Sequence, residues 1–158
     1  MAIIVEDGTG ILNANSYVSA ANLTAYATAR GITLTASADV LILQAMDYLE
    51  AQNFIGIKTK HDQALQWPRF RVWIDEYPVQ STEMPQLLID AECEIAIAMD
   101  NGTSPVTNIT PAVKRKKVDV IEIEYKDGGA STTINRKIAL KLNKLLKSNG
   151  SAFEVIKG

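Results

Sequence analysis

Proline constrains this chain more than any other residue type. Three of its five prolines (Pro68, Pro78, Pro85) fall in one stretch, Gln63 to Pro85, QALQWPRFRVWIDEYPVQSTEMP. Proline fixes its own φ and pushes the preceding residue out of the α region. Trp67, Tyr77 and Met84 are therefore expected to be extended, and the stretch cannot be a single helix. Both tryptophans, Trp67 and Trp73, lie in it beside Phe70 and Tyr77, which is too apolar for a solvated linker. The reading is a structured connector over residues 54–84, pinned onto the helices around it, with Trp67, Pro68, Arg69, Trp73, Tyr77 and Pro78 as its structural residues.

The flanks read as helices. Ser19 is the candidate N-cap of the first, with Val18 and Leu23 placed for a hydrophobic staple and Gly31 as its stop. A second starts near Ser37, with Asp39 in its first turn, and buries Leu41, Ala45, Tyr48 and Leu49 before ending around Gln52 or Asn53. Pro85 suits the first turn of a third, in which Leu87, Leu88, Ala91, Ile95, Ala98 and Met99 keep helical spacing up to Asn101-Gly102. Asp90, Glu92 and Glu94 on that helix point around it rather than together, so they are expected to form a solvated face and not an acid/base pair. Before all this, Ile3-Ile4-Val5 is cut off by the turn Asp7-Gly8-Thr9-Gly10, and residues 1–17 read as an N-terminal arm. Residues 18–112 form the helical core, ending in the loop 102–112.

Residues 113–158 differ in chemistry. Residues 1–112 carry 13 acidic and 5 basic side chains, a net of −8, whereas 113–158 carry 5 acidic and 11 basic, a net of +6. The basic run Lys114-Arg115-Lys116-Lys117 precedes Val118–Tyr125, whose alternation predicts a half-buried strand. After the turn Lys126–Gly129, Thr132 or Thr133 can cap a helix from about Ile134 to Ser148. Ile134, Ile138, Leu142, Leu145 and Leu146 form its apolar face, and Lys137, Lys141, Lys144 and Lys147 a cationic stripe. Phe153, Val155 and Ile156 make a short closing strand or anchor. The fold expected is mainly α: one domain over 1–158, a small bundle of about four helices with a short β element and extended N- and C-terminal arms.

Catalytic constellations are missing from the sequence. Gly8 and Gly10 are followed by neither a GK[ST] triplet nor a helix, so no phosphate loop is formed. His61 is the one histidine and lies in a polar loop, without partners for a metal site or a triad. Cys93, the one cysteine, sits among glutamates in a helical pattern and reads as a packed small hydrophobe; a reducing compartment fits it. The N-terminus has no basic region of a signal peptide, and no apolar run reaches a membrane span. Neither an enzyme nor a bound cofactor or metal is expected.

Several motifs in order carry a resemblance. They are IVEDGTG (Ile4 to Gly10), ANSYVS (Ala14 to Ser19), DYL (Asp47 to Leu49), QALQWPR (Gln63 to Arg69), Tyr77-Pro78, EMP (Glu83 to Pro85), AxCExA (Ala91 to Ala96) and VxxIEIEY (Val118 to Tyr125). Over residues 3–157 this set resembles the head–tail adaptor, or head completion, proteins of tailed bacteriophages, a group also labelled "putative DnaT-like single-stranded DNA-binding protein". The resemblance implies a structural virion protein made in the host cytoplasm and no catalytic residues. Its copies would form a ring, usually a dodecamer, beneath the portal protein, extending the DNA channel and docking the next connector, stopper or tail-terminator protein. Residues 103–117 match no motif of the group.

The alternative is a DnaT-like single-stranded DNA-binding module, suggested by Lys114, Arg115, Lys116, Lys117 and the stripe Lys137, Lys141, Lys144, Lys147, all able to neutralise phosphate. Those lysines could equally face solvent, meet a neighbouring copy's acidic part, or line a channel for double-stranded DNA. Against the alternative stands the shortage of aromatics in the basic part, where only Tyr125 and Phe153 occur.

Overall fold

The computed structural model describes residues 2–103, 115–118, 121–124 and 133–147. It is mainly α, with four helices and three small two-stranded sheets among the described residues. The helices are α1 (Ala20–Thr28), α2 (Ala38–Glu50), α3 (Gln86–Asp100) and α4 (Thr133–Leu142). α3 is the central one and touches the other three.

The helix ends follow local chemistry. Ser19 Oγ accepts the Asn22 N–H at 3.1 Å, as an N-cap should. α1 closes with two reversed bonds, Gly31 N–H to Thr28 O and Ile32 N–H to Ala27 O, with Gly31 at φ +69°. α3 closes in the same way, through Gly102 and Thr103 onto Met99 and Ala98. This pairing needs a left-handed residue, which glycine supplies without a Cβ clash. Pro85 stands at the N-cap of α3, one position before the first turn anticipated for it.

The core gathers Leu23 of α1, Ile42 and Leu49 of α2, Leu88 and Ile95 of α3, and Leu142 and Leu145 of the α4 region around Trp67 and Phe54. Ile42 and Met46 of α2 are buried too, and Tyr48 is half-buried. Trp67 is fully buried, edge-on to Phe54 at 6.1 Å between centroids. Burying such side chains stabilises the fold by roughly 1.5–3 kcal/mol each.

The connector is built of very short strands. β1 (Ile57–Lys58) pairs antiparallel with β2 (Arg69–Phe70), and β3 (Val72–Ile74) with β4 (Tyr77–Val79). The Trp67–Pro68 peptide is cis. Expected pinning holds for Trp67 but not for Trp73 and Tyr77, which are 62% and 78% exposed. Alternation explains this: Val72 faces the core, so Trp73 faces out, and Tyr77 lies at the tip of the turn.

Three other expectations are corrected. Residues 2–17 are no loose arm but a closed loop bound to the bundle. Glu6, buried, accepts the N–H groups of Gly8, Gly10 and Ile11 at 2.8–2.9 Å, and Glu6 N–H reaches Ser16 O. The carboxylates of α3 are no solvated face. Glu92 is fully buried, because it lies four residues after Leu88 and three before Ile95, inside the apolar stripe. The basic run is not a prelude to a lone strand: Arg115–Val118 is itself β5 and pairs with β6 (Ile121–Glu124).

The last helix is shorter than anticipated. It gives way after Leu142, and the chain turns so that Leu145 O accepts Ile55 N–H and Lys147 N–H donates to Asn53 O. Lys114, Tyr125, Thr132 and the tail residues Phe153, Val155 and Ile156 lie outside the described residues, as does most of the loop 102–112.

The DGTG turn fits tightly against the chain beyond β4. A Cβ on Gly8, at φ +97°, would lie 2.0 Å from Thr82 O. Gly8→Ala should therefore lower the unfolding free energy by more than about 2 kcal/mol, measured by urea denaturation.

Candidate interface on the aromatic hairpin

The connector's root is fixed by one cation. Arg69 is buried and spends all five N–H groups on oxygens. Its Nε donates to Ile55 O (2.7 Å), Nη1 to Gln66 O (3.0 Å) and Gln66 Oε1 (2.9 Å), and Nη2 to Gly56 O (2.9 Å) and Phe54 O (3.4 Å). Gln63, also buried, donates to Leu65 O and Pro68 O and accepts Lys60 N–H. Next to this cluster, Tyr17 OH donates to Glu50 at 2.6 Å and accepts Trp67 N–H, while Gln66 N–H donates to the other Glu50 oxygen. Burial raises the Glu50 carboxyl above its ordinary value, partly opposed by those two donors. Trp67, Pro68 and Arg69 thus hold the connector from within.

From this root the β3–β4 hairpin projects. Val72 is buried, and a Cβ on Gly56 would meet its side chain at 2.5 Å. Past Ile74 the chain reverses over Asp75 and Glu76, at φ +51° and +69°. Two positive φ values mark the turn whose twist matches a hairpin, normally made with Asn-Gly. Here two acidic L-residues hold it, and Arg71 before β3 is also at φ +57°. These are the non-glycine residues with positive φ among the described ones, and such strain collects at functional sites.

The hairpin presents Trp73 and Tyr77 to solvent with Pro78 opposite Trp73. A hollow of about 260 Å³ lies at its side between Ile74, Tyr77, Val79 and the start of α3 at Pro85 and Leu87, with Glu83 on its rim. Exposed tryptophan and tyrosine favour docking, since large rings bury much area with little entropy loss. The acidic tip carries Asp75 and Glu76, so its field opposes phosphate.

The cationic stripe does not stand apart. Lys144 Nζ pairs with Asp75 Oδ2 at the hairpin tip, and Lys141 Nζ with Asp90 Oδ2 at 3.1 Å. Lys137 and Lys147 are exposed. On β5 the register sets Arg115 opposite Glu124, Lys116 opposite Ile123 and Lys117 opposite Glu122. The structure thus brings Lys144 to the aromatic hairpin, which the sequence kept 69 residues apart from it.

His61 is almost wholly exposed and Cys93 is buried, its thiol pushed up to about 12 mainly by burial. Among the described residues no group of three or more histidine, cysteine or acidic side chains could hold a metal, and no helix is long and apolar enough to cross a membrane.

A family model described as "Putative DnaT-like ssDNA binding protein" matches residues 1–158. The chain belongs to this family. Neither the curated proteins nor the solved structures give a match. For this member of the DnaT-like family, the acidic tip and the ion pairs of Lys141 and Lys144 set the terms for any DNA contact: phosphate would have to compete with Asp90 and Asp75 for those cations. Surface pairs of this kind are weak, worth about 0–1 kcal/mol, so the competition is not prohibitive.

The turn offers a direct check on strain. Glu76→Gly should stabilise the protein by about 0.5–1 kcal/mol, read as a higher Tm, because glycine takes φ +69° without a Cβ clash.

Proposed function

We propose that this protein is a structural adaptor of the phage head–tail junction. Its copies associate into a ring under the portal protein, extend the channel for double-stranded DNA and receive the next connector or tail protein. The observation that carries the reading is the rigidly rooted, strained hairpin with Trp73 and Tyr77 exposed beside an acidic tip. Such a feature gives a monomer little and gives an interface its anchor residues. The motif order noted in the sequence supports the same reading. The opposed charges of residues 1–112 and 113–158 suit heterologous contacts, which close into rings when the rotation permits. In this reading the protein works by shape and association, without chemistry of its own, and resides in the virion.

A second reading, single-stranded DNA binding, follows from the family description and from Lys144 lying at the hairpin that bears Trp73 and Tyr77. Stacking aromatics beside a cation are what single-strand binders use. A fluorescence-anisotropy titration of a labelled single strand against salt separates the two. A binder loses affinity steeply as salt rises, and no binding at low salt removes this reading.

The adaptor reading is tested by light scattering and electron microscopy of the purified protein with and without its portal. Rings or a stacked complex are expected. The double variant Trp73→Ser/Tyr77→Ser should keep its monomer stability within about 0.5 kcal/mol of wild type and lose the assembly. A wild-type protein that stays monomeric and ignores the portal would sink the proposal.

A further inference from the structure

One buried carboxylate has more oxygen contacts around it than its neighbours have protons. Glu92 is 0% exposed, and its Oε2 accepts Tyr17 N–H at 3.0 Å. Its Oε1 lies 2.7 Å from Ser16 Oγ. That hydroxyl lies 2.6 Å from Val18 O and accepts Val18 N–H at 2.9 Å. A hydroxyl has one proton, and a carbonyl or carboxylate oxygen brings none. Ser16 therefore cannot satisfy both Val18 O and an ionised Glu92. With a proton on Glu92 Oε1 every group is served: Glu92 donates to Ser16, Ser16 donates to Val18 O, and Tyr17 N–H donates to Oε2.

The surroundings favour the same state. On α3 the nearby titratable groups are Asp90, Cys93 and Glu94; Asp90 pairs with Lys141, and Glu94 accepts Tyr26 OH. Arg30, from the end of α1, sits 3.8 Å from Glu94. From α2, Glu50 repels a negative charge on Glu92. From the loop, Tyr17 OH donates its hydrogen bond to Glu50, and Glu6 is held by the DGTG amides. In the connector, Arg69 is committed to Gln66 and the carbonyls of Phe54, Ile55 and Gly56. No cation among the described residues lies within ion-pairing distance of Glu92. Burial pushes its carboxyl up to about 8, against the smaller pull of the Ser16 and Tyr17 bonds.

We propose that Glu92 is a neutral carboxylic acid at neutral pH, and that its proton is the pin that fastens the N-terminal loop, residues 2–17, onto the bundle, so that alkaline pH unfastens it. Loss of the proton leaves either Val18 O or Glu92 Oε1 without a donor and places an anion in the core with no cation beside it. Opening begins at Ser16 and Tyr17 and reaches the connector through the bonds from Tyr17 OH to Glu50 and from Trp67 N–H to Tyr17 OH. Folded Glu92 keeps its proton between the ordinary value of 4.5 and about 8, where the unfolded chain has lost it. Its stabilising contribution is complete below the lower value, falls as pH rises, and is gone above the upper one.

The test compares wild type with Glu92→Gln. The amide reproduces the neutral acid, since it donates to Ser16 Oγ and accepts Tyr17 N–H, but it does not titrate. Between the two limits the wild-type unfolding constant should rise about tenfold per pH unit relative to the variant's, and the variant should be the more stable at alkaline pH. Above pH of about 8, limited proteolysis should nick residues 2–17 in wild type and spare them in the variant. Parallel pH profiles for the two proteins would overturn the proposal. Should the variant not fold, carbon-13 NMR of wild-type glutamate carboxyls decides. One resonance titrating near 8 supports the neutral acid, and titration of every glutamate in the ordinary carboxylate range refutes it.

Discussion

The connector stands because one guanidinium answers the backbone it cannot pair for itself. Strands of two and three residues satisfy few peptide groups, and the connector's inner part, at Trp67, Arg69 and Val72, is buried. Buried carbonyls without donors are costly. Arg69 gathers those of residues 54–56, from one arm of the connector, and of Gln66, from the other, with a planar fork that a lysine lacks. Closing the two arms brings Trp67 against Phe54 and fixes where the chain leaves for the outer hairpin. The exposed aromatics are thus presented from a well-fixed base, which lowers the ordering cost of any contact they make.

A second polar chain, running from the N-terminal loop through the core, joins the parts that the apolar contacts only crowd together. Tyr17 touches Glu92 of α3 by its amide and Glu50 of α2 by its hydroxyl, and receives Trp67 N–H. Each bond crosses from one segment to another, so together they fix relative placement as well as stability. Among the described residues Trp67 Nε1 is the buried side-chain polar atom left without a partner. The rest of the network is satisfied, in keeping with the cost of leaving such atoms bare.

Charge works in the same local way. The −8 and +6 parts of the chain meet within one molecule, through Lys141 to Asp90 and Lys144 to Asp75. The first pair ties α4 to α3, and the second ties the α4 end to the hairpin tip. An assembly that recruits the basic segment must therefore use groups these pairs leave exposed, such as Lys137, or exchange one pair for another. Neither route is expensive, because partly exposed ion pairs contribute little net energy.

Much of this was written in the sequence wherever the cause was local. The helix starts and stops at Ser19, Gly31, Pro85 and Gly102, the broken, extended connector and the burial of Trp67 follow from dihedral limits, capping and apolar period, all properties of neighbouring residues. The family motifs, too, are a property of order along the chain. What lay beyond reach depended on partners far away in sequence. Glu92 looked like a surface acid because its hydrogen-bond partners sit 75 and 76 residues earlier, although its place within the Leu88–Ile95 stripe was a signal. Residues 2–17 looked loose until Glu6 and Tyr17 found their partners, and Trp73 looked pinned until the burial of Val72 against the core turned it to the outer face. The sequence alone determined which segments are helical and where α1 and α3 stop, since backbone sterics and local hydrogen bonds set those. Only the tertiary structure decided which carboxylate is buried, which aromatic is left exposed and which lysine is already engaged, because each depends on what the fold brings alongside.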